Sequence, residues 1–125
     1  MNVIDTSAWL AWFAEEENAG IFEPAILKTE ELIVPVICLY EVFKVLLRET
    51  SETDALLAAS IMQQGKVVDI DPEIALNAAK ISTEHKIPMA DSMIYAISQK
   101  HTALLWTQDI DLKGLPGVKY FEKKS

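Results

Sequence analysis

Short apolar, β-branched runs alternate with longer stretches of helical periodicity from one end of this chain to the other. No other feature restricts the fold as much. The strand-sized runs are Val3-Ile4, Leu32-Ile33-Val34-Pro35, Lys66-Val67-Val68-Asp69-Ile70, Ala103 to Thr107 and Val118 to Phe121. Between them, apolar residues recur at helical spacing over Ser7 to Phe13, Ile21 to Leu27, Val36 to Leu47, Ser51 to Met62, Asp71 to Ile81 and Met89 to Lys100. Strands that alternate with helices cannot pair as hairpins. They predict an α/β fold, a mostly parallel central sheet flanked by helices in three α/β/α layers. At 125 residues, half of them hydrophobic, with no linker or repeat, the chain is read as one domain, residues 1–125.

Local signals support these elements. Ser51 with Asp54 three residues on, and Asp71 before Pro72, are helix starts. Gly65 is read as the end of the helix that contains Leu56, Leu57, Ile61 and Met62. Ala14 to Asn18 is read as a solvated acidic turn opening the second helix, with Pro24 near that helix's first turn. In the segment 36–47, Val36, Leu39, Tyr40, Phe43, Leu46 and Leu47 form the stripe expected to face the core, with Glu41 beside it.

Composition excludes several classes. No apolar run approaches the roughly 20 residues of a membrane span, and Met1 leads directly into a strand without a signal-like segment. Cys38 is the single cysteine, so an intrachain disulfide is impossible. A buried, inert thiol and a cytoplasmic location are expected. The net charge of −8, from 19 acidic and 11 basic residues, argues against broad binding to a phosphate backbone. It leaves two exceptions: acids gathered around a cation, or an acidic surface covered by a basic partner.

Four acids stand out by position. Asp5 sits where the first strand ends and a helix begins, just before the cap-type residues Thr6 and Ser7. Glu41 borders an apolar stripe, Asp91 lies in a first helical turn, and Asp109 follows the strand that ends at Thr107. A parallel sheet can bring all four to one edge, where ligand sites form. Converging carboxylates raise one another's pKa unless a cation is present, and oxygen-only donors suit Mg²⁺ or Mn²⁺. All of these acids except Glu41, which seldom borders so apolar a stripe without a partner, also have a plainer reading. Asp5 and Asp91 could serve the helix N-termini alone, and Asp109 and Asp111 could be ordinary turn residues.

The local sequences resemble a known family. Ile4-Asp5-Thr6-Ser7, Cys38-Leu39-Tyr40-Glu41-Val42, Ala90-Asp91-Ser92-Met93-Ile94-Tyr95-Ala96 and Leu105-Trp106-Thr107-Gln108-Asp109-Ile110-Asp111 are similar to the successive motifs of PIN domains, most of all the VapC-type ribonuclease toxins of toxin–antitoxin pairs. The resemblance implies an α/β/α nuclease fold with a Mg²⁺- or Mn²⁺-dependent site that cuts single-stranded RNA. It assigns Asp5, Glu41, Asp91 and Asp109 to the metal and to catalysis, with Thr6, Ser7 and Thr107 assisting. It also implies an antitoxin partner and a homodimer, and some of Trp9, Trp12 and Phe13 are read as interfacial. The last motif departs from the family pattern. Gln108 stands where a basic residue is usual, and Leu112 follows Asp111, so either Asp109 or Asp111 could complete the site. Candidate phosphate contacts are Lys44, Arg48 and Lys113, with Lys86 and Lys100 also available. His85 and His101 are read as surface residues. The alternative function is a catalytically weak or inactive PIN-like module acting through protein association.

Overall fold

A computed structural model describes residues 1–124. In chain order the elements are β1 (Asn2–Ile4), α1 (Thr6–Phe13), α2 (Ala19–Leu27), β2 (Leu32–Pro35), α3 (Val36–Glu49), α4 (Glu52–Met62), β3 (Lys66–Val68), α5 (Pro72–His85), α6 (Met89–Lys100), β4 (Leu104–Thr107) and β5 (Val118–Tyr120). Short 3-10 turns cover Thr29–Glu31 and Ile110–Leu112. The five strands form one sheet in the order β3-β2-β1-β4-β5, and every pairing is parallel. The architecture is the expected three-layer α/β/α.

This order creates one special place. The chain steps outward from β1 to β2 to β3, then returns to lay β4 on the other side of β1 and β5 beyond it. Connections leaving β1 and β4 therefore diverge, which opens a crevice at the carboxyl ends of those two strands. Asp5 follows β1 there, and Thr107 ends β4.

The core is built from Val3, Ile4, Ile33, Val34 and Leu105 of the sheet, with Trp9, Phe22, Val42, Met62, Ile94 and Ile97 from the helices. Trp9 is fully buried. It stacks on Phe13 with ring centroids 5.7 Å apart and meets Trp12 edge-on at 6.1 Å, so the helix aromatics pack on one another as well as on the core.

Several local expectations are corrected. In α3 the fully buried residues are Cys38 and Val42. Of the expected stripe, Leu39 and Leu46 pack partly buried against the core, but Val36, Tyr40, Phe43 and Leu47, with the edge of Leu39, form an outer face. Tyr40 is 63% exposed and Leu47 44%. These residues, with Ala59 and Gln63 of α4, line an outward-facing groove of about 610 Å³. In α4, Ala55, Ala58 and Met62 are buried while Leu56 and Leu57 lie outside. The acids Glu15, Glu16 and Glu17 precede α2 rather than opening it, and Pro24 is inside that helix. Gly65 lies beyond the end of α4, where a Cβ would come within 3.0 Å of the Leu32 carbonyl oxygen and side chain. It is required there for close approach to β2. β3 ends at Val68, because Asp71 accepts from the Ile74 amide at 2.9 Å and starts α5. His85 is exposed, but the Nε2 of half-buried His101 is enclosed without a partner.

Candidate active site

The site begins with Asp5, which is 1% exposed. Its backbone is extended, and its amide donates to the Trp106 carbonyl of β4 at 3.1 Å. Its Oδ1 accepts from the Ala8 amide at 2.9 Å and from Ser7 Oγ at 2.7 Å. Its Oδ2 accepts from Thr107 Oγ1 at 2.5 Å. Asp5 therefore does cap α1, and every oxygen has a neutral donor. Burial raises its pKa to about 6, opposed by the Thr107, Ser7 and Ala8 hydrogen bonds and reinforced by the charge of Asp109.

Thr107 and Ser7 are more than donors to Asp5. Thr107 Oγ1 accepts from the Asp109 amide at 2.8 Å, and Ser7 Oγ accepts from the Gln108 amide at 3.2 Å. The loop that follows β4 is thus held by the same two hydroxyls that hold Asp5. Asp109 Oδ1 then accepts from the Asp111 amide at 2.9 Å, which starts the 3-10 turn.

Among the described residues, Asp91, Asp109 and Asp111 each bring a carboxylate oxygen to within 4.8 Å of the others. Asp91 stands in the first turn of α6 and has no basic neighbour in the trio. Its pKa is pushed up to about 8 by burial first, then by the charge and hydrogen bonding of Asp109, and by the charges of Asp5 and Asp111. Asp109 and Asp111, offered as alternatives in the sequence, both belong to this trio. Glu41 lies outside this trio; on α3, its Oε1 accepts at 2.6 Å from Oγ1 of Thr6, the residue beside Asp5 in sequence. The buried Cys38 thiol lies under these acids. Burial raises its pKa, Thr6 lowers it, and the charges of Asp5, Glu41 and Asp91 raise it further. Three chain segments, after β1, in α6 and after β4, therefore deliver interacting carboxylates to one crevice.

That donor set fits a hard divalent cation. It offers carboxylate oxygens only, with no imidazole or thiolate among the clustered atoms, which suits Mg²⁺ or Mn²⁺ rather than zinc. Without a cation, the repulsion among these acids and burial favour the protonated form of Asp91.

The basic residues are spread out. Lys44 lies over the Tyr40 ring at 5.6 Å, and Lys113 over the Tyr120 ring at 5.4 Å. Arg48 pairs with Glu49 at 3.0 Å, and Lys100 with Asp71 at 3.3 Å. Lys86 occupies a left-handed position closing α5. The Arg and Lys pairs are surface contacts of small energetic weight.

A family model for the PIN domain matches residues 3–118. The chain belongs to the PIN domain family. Solved structures share the fold of this PIN domain over most of its length. A toxin–antitoxin complex from Klebsiella pneumoniae is 22% identical, with a TM-score of 0.82, covering 98% of this chain and 99% of that one. VapC20 of Mycobacterium tuberculosis, described as a sarcin-ricin loop cleaving toxin, is 18% identical with a TM-score of 0.73, covering 90% and 92%. DNA-bound VapBC from Salmonella typhimurium is 18% identical with a TM-score of 0.75, covering 97% and 96%. No curated protein matches the chain by sequence.

The sequence placed Asn18 in a solvated turn and marked Gln108 only as a departure from the family motif, so the role of both at the site was missed. Both are buried, and Asn18 Nδ2 donates to Gln108 Oε1 at 3.0 Å. Two signals were available: an uncharged residue amid acids at position 18, and a polar amide at position 108 where the family has a basic residue.

Proposed function

We propose that this PIN domain is a Mg²⁺- or Mn²⁺-dependent endoribonuclease that hydrolyses phosphodiester bonds of single-stranded RNA, acting in the cytoplasm as the toxin of a toxin–antitoxin pair. The observation that carries the reading is the Asp91-Asp109-Asp111 trio beside Asp5 in the crevice between β1 and β4. Family membership and likeness to toxin structures support it.

In this reading Asp5, Glu41, Asp91 and Asp109 would hold the ion, with Asp111, the third acid of the trio, available to complete the site. A bound divalent ion supplies a water of lowered pKa and a counter-charge for the phosphoryl oxygens. The chain's own groups do the positioning. Thr107 and Ser7 keep Asp5 ionised and oriented, and Thr6 orients Glu41. Lys113, two residues after Asp111, is the basic residue nearest the trio in sequence and a candidate phosphate contact, with Lys44 and Arg48 farther along α3. A basic antitoxin would complement the net charge of −8.

The test is cleavage of single-stranded RNA in Mn²⁺, with and without chelator, by the wild type and Asp91→Asn. The substitution keeps the shape of the side chain and removes only its charge, so the fold is retained. The wild type should cut only with metal, and the variant should lose at least about 100-fold in rate. Wild-type activity in a folded variant would refute the assignment. The homodimer is supported by the exposed face of α3 rather than by Trp9. Phe43→Asp should shift sedimentation from dimer to monomer, and a wild type that sediments as a monomer would remove the dimer from this reading.

A further inference from the structure

Asn18 occupies the position before α2, where asparagine is among the best capping residues, yet its side chain makes no capping bond. It is 2% exposed instead. Its Nδ2 donates both to Gln108 Oε1 and to the Glu122 carbonyl, each at 3.0 Å. Its Oδ1 has no partner. Burying an amide with one unmet acceptor costs stability, so helix capping does not account for Asn18. What the amide does accomplish is a link from the start of α2 to two segments 90 and 104 residues away in sequence.

The link ends at the site. Gln108 immediately precedes Asp109, and it is held on two sides. Its backbone amide donates to Ser7 Oγ, and its side chain accepts from Asn18 while Nε2 reaches Glu16 Oε1 at 3.4 Å. Fixing residue 108 fixes the direction in which the chain leaves β4, and so where the Asp109 carboxylate stands relative to Asp91. We infer that Asn18 is a positioning residue: through Gln108 it holds Asp109 in the geometry that binds the divalent cation. The inference rests on the metal-site reading above and adds a determinant outside the acid cluster. Groups that touch a cation through an intermediary commonly tune its affinity by roughly 10- to 100-fold.

The test separates positioning from folding. Asn18→Leu keeps the approximate shape, removes the unmet acceptor and cannot hold Gln108. Mn²⁺ affinity is measured by titration calorimetry on the full chain, with thermal unfolding of the metal-free protein alongside. Expected is a Tm equal to or above the wild type, a Kd for Mn²⁺ raised about tenfold, and recovery of the RNA-cleavage rate in excess Mn²⁺ with unchanged KM for RNA. If Asn18→Leu does not fold, Gln108→Ala reports the same link from the other end and should weaken Mn²⁺ binding similarly. An unchanged Mn²⁺ Kd in a folded variant overturns the inference while leaving the metal site standing. A wild type that binds no Mn²⁺ overturns both.

Discussion

The crevice has an inner and an outer half, and they treat negative charge in opposite ways. In the inner half, Asp5 is surrounded by neutral donors: two hydroxyls and a helix amide that would be unpaired without it. Its charge is part of the architecture, since it starts α1 and ties β1 to β4. In the outer half, Asp91, Asp109 and Asp111 face one another with no donor of comparable strength between Asp91 and its neighbours. The inner carboxylate is satisfied by the fold. Of the outer ones, Asp109 Oδ1 also accepts from the Asp111 amide, whereas Asp91 is left to a proton or a cation. A protein that needed these acids only for helix starts would have no reason to aim three of them at one point.

This contrast predicts opposite profiles for substitutions in the two halves. The largest effect should come from the outer half, where Asp91→Asn loses RNA cleavage by at least about 100-fold while thermal stability is kept. In the inner half, Thr107→Val should do the reverse in order of severity. It removes the donor to Asp5 Oδ2 and leaves the Asp109 amide without its acceptor. The expected loss is about 2 kcal/mol in denaturant unfolding, with a weaker effect on metal affinity. Equal destabilisation by both substitutions would erase the distinction between the halves.

The pH dependence of the metal-free protein sharpens the same point. An acid whose folded pKa lies above its unfolded value holds its proton in the folded state after the unfolded chain has released it. Unfolding then releases protons, and stability falls as pH rises. For Asp5 the window runs from 3.8 to about 6, and the decline it contributes is on the order of 3 kcal/mol. Asp91 extends the decline toward pH 8. Denaturant midpoints should therefore drop between pH 4 and pH 8 without metal, and Mn²⁺ should flatten the drop at its upper end. A midpoint that is flat or rising across this range in metal-free buffer would contradict the assignment of raised pKa values.

The order of strands and helices was legible because each change of period is marked by a capping or breaking residue, such as Asp71-Pro72 or Pro88. Asp5 and Asp91 were legible for the same reason: their place relative to an element boundary is a local property. The inward face of α3 was not. Apolar residues lie nearly all round that helix, so periodicity yields a helix without a direction. Only packing against α4 and the sheet decides that Cys38 and Val42 point inward. In α4, hydropathy favours burial of Leu56 and Leu57, but close packing on α3 selects Ala55 and Ala58 instead. The burial of Asn18 was not legible because it depends on residues 108 and 122, at the far end of the chain; the acids beside it mark it as unusual but do not report that contact.

The central claim is that the outer carboxylates give up a proton to accept a divalent cation. Calorimetric titration of the wild-type protein with Mn²⁺ at pH 6 and pH 8 tests it most directly. The account predicts binding at pH 8, proton release into the buffer, and an affinity at pH 6 lower by roughly tenfold or more. Absence of binding at pH 8, or the same affinity at both pH values with no proton released, would contradict it.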